Sequence, residues 1–288
     1  MSEAQHLIPC AQKDEQLLAD IRMADVARGF AVWWLGQSGF LVKTRGGVIL
    51  FDPYLSDSLT KKYADTDKPH VRMTELVVDP AKLDMVDVVT SSHNHTDHLD
   101  AETLVPLLGG ASSAVPLVLP AANATFAAER LGTDVDRLSG LTDGRSTVAG
   151  AFTFHGITAA HDEVARDEHG RPKFMGFVAT FPGGCVYHSG DTLLHDGLVE
   201  QLKPFDIDLA ILPINGRRPE RRVAGNLFGD EAARLAGDIG ARLVVPCHYN
   251  MFTFNTEPPD LFEQTCQTLG QPYRILACGQ RLDVPAGR

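Results

Sequence analysis

A succession of short apolar runs, five of which hand over directly to an acidic or imidazole side chain, constrains this chain most. The runs are AVWWL (31–35), GFLVK (39–43), VILFD (48–52), VDVVT (86–90), VPLVLP (115–120), TVAGAFTFHGI (147–157), FMGFVATF (174–181), GCVYHS (184–189), DLAILPI (208–214), RLVVPC (242–247), YRILAC (273–278) and QRLDV (280–284). They are rich in β-branched and aromatic residues, and many are bounded by turn signals such as GQS and RGG, so they predict strands. Helical spacing is seen over 13–28, 229–239 and 258–269, the last with proline at its start. Hairpin signals dominate the first half, and strands mix with helices in the second. That order predicts two packed β-sheets with helices outside, an α/β (α+β) architecture, rather than a doubly wound parallel sheet. With no repeat, low-complexity tract or Ser/Gly linker, residues 1–288 are expected to form one domain.

Bulk properties exclude several function classes. A formal net charge of −11, from 37 acidic and 26 basic residues, disfavours broad phosphate contacts with nucleic acid. The uncharged stretch 103–128 is long enough to suggest a membrane span. It is interrupted by Pro106, Gly109, Gly110, Pro116 and Pro120, which predicts a buried helix, a loop and a buried strand instead. No basic-then-apolar leader opens the chain, and the five cysteines lack CxxC spacing. The expected compartment is the reducing cytoplasm, with neither a disulfide framework nor a thiolate zinc site.

The segment SSHNHTDHLD (91–100) carries His93, His95, Asp97 and His98 on the loop leaving the run VDVVT. Neutral imidazoles with a carboxylate suit Zn²⁺, and also Mn²⁺ or Fe²⁺. Four donors in six residues are too crowded for one closed tetrahedral cage. They fit better as halves of two adjacent sites, His93 with His95 and Asp97 with His98. Further ligands are then needed, and His161, Asp191 and His248 each follow an apolar run, as Asp52 ends one. If those strand ends share one sheet edge, the donors meet. Singly, His161 or His248 would be an ordinary polar residue, and Asp52 or Asp191 a turn residue.

With Asp52, His93-Asn94-His95-Thr96-Asp97-His98, His161, Asp191 and His248 in this order, the sequence resembles the metallo-β-lactamase superfamily. The resemblance implies a four-layer αββα sandwich with metals in a shallow cleft at one edge. It implies that His93, His95 and His161 hold one ion, that Asp97, His98 and His248 hold a second, and that Asp191 bridges them. Asp52 would orient the loop from behind, and His188 would support Asp191 in the same way. The stretches WWLGQSGFLVK, VYHSGDT and VVPCHYNMF are similar to the ascorbate-6-phosphate lactonase branch. His95 stands where di-iron flavoprotein relatives carry a carboxylate, so the resemblance favours hydrolysis.

Two divalent ions would bring bound water toward a pKa near 7 and stabilise the developing oxyanion. Asp97 would bind metal and also steer that nucleophile. Tyr249 is either an oxyanion donor or a packing residue. The run GRRPERR (216–222) either forms a solvated loop or overhangs the cleft, where Arg217 would grip an anionic substrate with Asn215 beside it. Trp33 and Trp34 are expected in the core. The function expected is hydrolysis of a small anionic ester or lactone, a sugar-phosphate lactone among the candidates, without nucleic-acid or membrane partners. A phosphodiesterase or nuclease is the rival within the same fold, and a catalytically silent metal-binding scaffold the rival outside it. Exposed faces leave room for subunit pairing, with nothing to specify how.

Overall fold

The computed structural model describes residues 6–109 and 115–286. One sheet holds β1 (Gly29–Trp34), β2 (Phe40–Thr44), β3 (Gly47–Phe51), β4 (Val88–Thr90), β5 (Leu117–Pro120), β6 (Leu138–Leu141) and, at its far edge, β13 (Arg281–Pro285). The other holds β7 (Ser146–Ala149), β8 (Phe152–Thr158), β9 (Met175–Phe181), β10 (Gly184–His188), β11 (Leu209–Pro213) and β12 (Val244–Cys247). Strand order is β13-β1-β2-β3-β4-β5-β6 in the first and β12-β11-β10-β9-β8-β7 in the second. Helices α1 (Asp14–Met23), α2 (Ser58–Lys62), α3 (Ala101–Leu108), α4 (Ala124–Leu131), α5 (Leu198–Leu202), α6 (Gly229–Asp238) and α7 (Asp260–Leu269) complete the order.

Alternation along each strand sorts the side chains into layers. In β1, Phe30, Val32 and Trp34 join Phe152, Phe154 and Phe177 in the core between the sheets. Ala31 and Trp33 point the other way, into a second core with Leu17, Leu18 and Ile21 of α1 and Leu104 of α3. On the second sheet's outer face, Ala232, Ala236, Phe262 and Cys266 bring in α6 and α7. Both faces of each sheet are thus covered, which is why the strands read as continuous apolar runs. The result is the expected αββα sandwich.

Strand direction, more than strand order, decides which loops meet. β1 and β2 pair antiparallel, as do β2 and β3, whereas β3 and β4 are parallel. In the second sheet β8–β9 and β9–β10 are antiparallel, while β10, β11 and β12 run parallel. Hence β1, β3 and β4 share one direction, as do β8, β10, β11 and β12.

Some boundaries differ from the sequence reading. The helix expected over 13–28 ends at Met23: Asp25 Oδ1 accepts the Ala27 N–H at 2.9 Å, turning the chain toward β1. Gly29 begins β1 with φ +143°, where a Cβ would lie 2.1 Å from Val284 O. The single strand expected over 147–157 is a hairpin, with Ala149 opposite Phe152 across a turn at Gly150, φ +61°. YRILAC is not a strand; it bridges β12 only at Tyr273 before leaving to pack. Within 103–128 the expected helix and strand are α3 and β5, followed by the start of α4, while the loop expected between them lies largely outside the described residues. No helix of the described residues is long and apolar enough to cross a membrane. Trp33 and Trp34 are both buried. Phe154, fully buried between the sheets, sets the first test: Phe154→Ala should cost about 3–5 kcal/mol by urea unfolding, and a loss below about 1 would contradict a tightly packed inter-sheet core.

Candidate metal centre

The strands that share a direction release their side chains at one edge, as ligand sites do at the carboxyl ends of parallel strands. After β3 comes Asp52, after β4 the loop from His93 to His98, after β8 His161, after β10 Asp191, and after β12 His248. His93, His95 and His161 place donor atoms within 4.8 Å of one another, as do His93, His98 and Asp191, and also Asp97, His98 and His248. Asp191 lies between the groups: its Oδ1 is 3.3 Å from His98 Nε2, and its Oδ2 is 3.4 Å from His248 Nε2 and 3.6 Å from His161 Nε2. Asp97 Oδ2 is 3.5 Å from His248 Nε2 and 3.7 Å from His98 Nε2.

Three of the rings are oriented from behind. Asp52 Oδ2 accepts from His98 Nδ1 at 2.8 Å, and Asp52 Oδ1 accepts from the Thr90 hydroxyl. The Gly225 carbonyl accepts from His161 Nδ1 at 3.0 Å, and Ser92 Oγ lies 3.0 Å from His93 Nδ1. With Nδ1 engaged, Nε2 is the atom presented to the site. His188 accepts the Gly190 N–H on Nδ1 and donates from Nε2 to the Ser38 carbonyl, so it holds the backbone beside Asp191. Gly190 is required there: its φ is +59° and a Cβ would lie 2.4 Å from Ser92 Cβ, blocking the approach of the two loops. Arg130 of α4 donates to the Asn94 and Leu99 carbonyls, and Asp100 caps α3, so the histidine loop is held at both ends.

His93 Nε2, His98 Nε2 and Asp191 Oδ1 are buried without any hydrogen-bond partner. Natural structures leave few such atoms orphaned, and metal ligation satisfies all three. Charge points the same way. Burial opposes ionisation of Asp191, yet His248 and His98 hold its carboxyl well below the usual range. Burial opposes the imidazolium of His98, yet Asp191 and Asp97 push its pKa well up, and the same carboxylates raise His248 to about 9. Without metal, protons supply the positive charge that cations would otherwise bring.

The donors floor an open cleft of about 360 Å³. Its walls carry Lys62, Lys68 and Arg130, and an aromatic side formed by Tyr63, His70, Phe252 and Phe254. Three residues expected near substrate belong elsewhere. Tyr249 is buried, stacks on Trp34 at 4.5 Å and donates to the Leu276 carbonyl at 2.6 Å, so it packs. Arg217 pairs through both Nη atoms with Glu231, with its guanidinium over Phe228, and does not line the cleft. Arg218 and Arg221 pair with Glu257, and Arg222 with Asp67, so the arginine run is neutralised internally. Asn215 is fully buried behind the wall, bonded to Asn255, which does line the cleft.

Gln37 is a site residue that the sequence pattern does not flag. Its Nε2 donates to Asp97 Oδ2 at 2.8 Å, and its carbonyl accepts the His248 N–H at 3.0 Å. It follows β1 in the GQS turn, obeying the same strand-end rule as the ligands, but it carries no ionisable group to draw notice. Gln37, Asp52 and His248 all adopt positive φ, an uncommon state for residues with a Cβ that clusters at functional sites.

A sandwich of two sheets with imidazoles and carboxylates converging at one edge defines a metal-dependent hydrolase. The chain belongs to the metallo-β-lactamase superfamily: a sequence model described as the beta-lactamase superfamily domain matches residues 31–248. It is 29% identical over 253 residues to a UPF0173 metal-dependent hydrolase of Rubrobacter xylanophilus, covering 86% of this chain and 93% of that one. It is 24% identical to a protein of Escherichia coli named "Probable L-ascorbate-6-phosphate lactonase UlaG", over 84% of this chain and 76% of that one. The fold of YhfI from Bacillus subtilis superposes with a TM-score of 0.63 at 19% identity, over 89% of this chain and 99% of that one.

The charge pattern has a pH consequence for the metal-free protein. His98 and His248 have folded pKa values raised above the ordinary imidazole range. Their stabilisation is therefore complete below about pH 6.5 and lost as pH rises through their folded values, about 9 for His248. Asp97 and Asp191, depressed when folded, stabilise above the ordinary carboxylate pKa and lose this as pH falls. Chelator-treated protein should accordingly melt lower at pH 10 than at pH 6.5, and loading with Zn²⁺ should shrink that difference. Equal melting at the two pH values without metal would contradict the assignment.

Proposed function

We propose that this chain is a binuclear hydrolase of a small anionic ester or lactone. The observation that carries it is the position of Asp191, within 3.6 Å of imidazole nitrogens from both groups of donors. His93, His95 and His161 would hold one ion, Asp97, His98 and His248 the other, and Asp191 would bridge. Zn²⁺ or Mn²⁺ suits this donor set, with Fe²⁺ also compatible. Divalent ions there supply Lewis acidity and a bound water acidic enough to ionise near neutral pH.

The chain's own groups do the rest. Asp97, its Oδ2 held by Gln37, orients the attacking water and accepts a hydrogen bond from it. Asp52 and the Gly225 carbonyl keep His98 and His161 in the tautomer that presents Nε2. Lys62, Lys68 and Arg130 line the cleft, and none forms an ion pair with a carboxylate among the described residues. Three cations above the donors, none neutralised by a carboxylate, favour an anionic substrate. A cleft of about 360 Å³ suits a small molecule. The name borne by the Escherichia coli relative makes a sugar-phosphate lactone the first compound to test. The expected compartment is the cytoplasm, on the scattered cysteines and the absence of CxxC spacing.

Purified protein should carry about two divalent ions per chain by elemental analysis, and Asp191→Ala should lose metal together with turnover. A folded wild type with no affinity for Zn²⁺ or Mn²⁺ sinks the proposal. Against a panel of lactones, carboxylic esters, phosphodiesters and β-lactams, lactones or esters should be turned over fastest. Lys62→Glu, a charge reversal of two units, should raise KM for anionic substrates by about tenfold when partly screened, and leave neutral ones unchanged. Equal effects on both would refute the role given to the wall cations.

A further inference from the structure

A chain of three amides runs behind the cleft. Asn226 Nδ2 donates to Asn215 Oδ1 at 2.9 Å, and Asn215 Nδ2 donates to Asn255 Oδ1 at 3.1 Å. Asn215 and Asn226 are fully buried, and Asn226 follows the Gly225 that holds His161. Asn255 alone of the three lines the cleft.

The polarity of this chain is set at its outer end. Arg221 Nη1 lies 3.3 Å from the same Asn255 Oδ1, and a guanidinium can only donate. That guanidinium is fixed by the Thr256 carbonyl and by Glu257. An amide nitrogen in place of Oδ1 would face two donors. Both contacts therefore use the oxygen, and Nδ2 keeps its two protons with no acceptor among the described residues.

We propose that Asn255 Nδ2 is a specificity-determining donor to an oxyanion of the bound ligand, a carboxylate or phosphate oxygen. The inference rests on reading the cleft as a site for anionic substrate. A neutral donor to a charged oxygen, already oriented by its own oxygen's partners, adds affinity without an ordering cost and discriminates against uncharged analogues.

The test uses zinc-loaded protein and inorganic phosphate as the probe. Asn255→Asp keeps the shape and the oxygen that meets Asn215 and Arg221, but exchanges the donor for a second carboxylate oxygen. Asn255→Ala removes the donor together with the oxygen that meets Asn215 and Arg221, so Asn255→Asp is the variant that isolates the donor. Loss of a charge-assisted hydrogen bond corresponds to about 10- to 100-fold weaker binding, so phosphate should bind Asn255→Ala about tenfold more weakly, and Asn255→Asp more weakly still. Zinc content should be unchanged in both variants, and Asn255→Ala should also lower Tm, because the buried Asn215 amide loses its acceptor. In the wild type, phosphate should shift the Asn255 side-chain amide resonances in a ¹H–¹⁵N spectrum. Wild-type affinity in both variants, unmoved Asn255 resonances on phosphate binding, or no phosphate binding by the wild type would each overturn the proposal. If no ester or lactone is hydrolysed while phosphate affinity still depends on Asn255, the hydrolytic reading fails and this inference stands.

Discussion

Asp191 is the group on which the rest of the site depends. A buried carboxylate surrounded by three imidazole nitrogens at 3.3–3.6 Å is stable only with positive charge among them. Protons on His98 and His248 can provide it, and so can divalent ions, but not both at once. Competition between the two makes the site a cation receptor rather than a hydrogen-bonded core. The fold's contribution is to prevent relaxation. Gly190, with Ser92 pressed against it, lets the loops after β4 and β10 approach closely, and His188 holds the backbone there.

Convergence of these groups comes from strand direction. Nine strands among the described residues, five from the first sheet and four from the second, point their carboxyl ends to one edge of the sandwich. Antiparallel pairing inside each sheet would ordinarily alternate the ends. Here β2 and β9 act as return strands, so that β1, β3, β8 and β10 all arrive in register with the site. The donor residues are thereby mounted just beyond well-packed strands, and the histidine loop is fastened separately by Arg130 and Asp100. Such mounting holds donors against their mutual repulsion when no cation is bound.

Strand mounting is also why much of the site is legible in the sequence. A strand buried on both faces shows as a continuous apolar run, and the polar residues within the next three positions sit at the sheet edge. Asp52, His93, His161, Asp191 and His248 all satisfy that rule, which is chain-local. Gln37 satisfies it too, but without a charge it does not stand out. Arg217 and Asn215 mislead for the opposite reason: both lie at a strand end, but where their side chains go depends on partners far along the chain. Glu231 lies on α6 and Asn255 beyond β12, and no local pattern joins either to residues 215–217. Tyr249 misleads through its neighbour. His248 has φ +62°, a left-handed turn that sends adjacent side chains to different surroundings, one into the site and the next against Trp34. YRILAC is apolar enough for a strand, but β12 offers it only a brief contact at Tyr273.

Charge shows the same division between local and distant causes. The net −11 describes the chain as a whole, while the cleft wall carries Lys62, Lys68 and Arg130. The apparent exception to the acidic balance, four arginines at 217, 218, 221 and 222, is cancelled by Glu231, Glu257 and Asp67. Lys62, Lys68 and Arg130 are scattered in sequence and conspicuous only once folded. An arginine already in a bidentate pair has little donor capacity left for a ligand, whereas its carboxylate partner fixes it as a strut. Arg221 is fixed differently, by one oxygen of Glu257 and the Thr256 carbonyl, and the atom it braces is the oxygen of Asn255. The basic run therefore acts on the cleft indirectly: its charge is neutralised inside the protein, and what reaches the ligand is the orientation of one neutral amide.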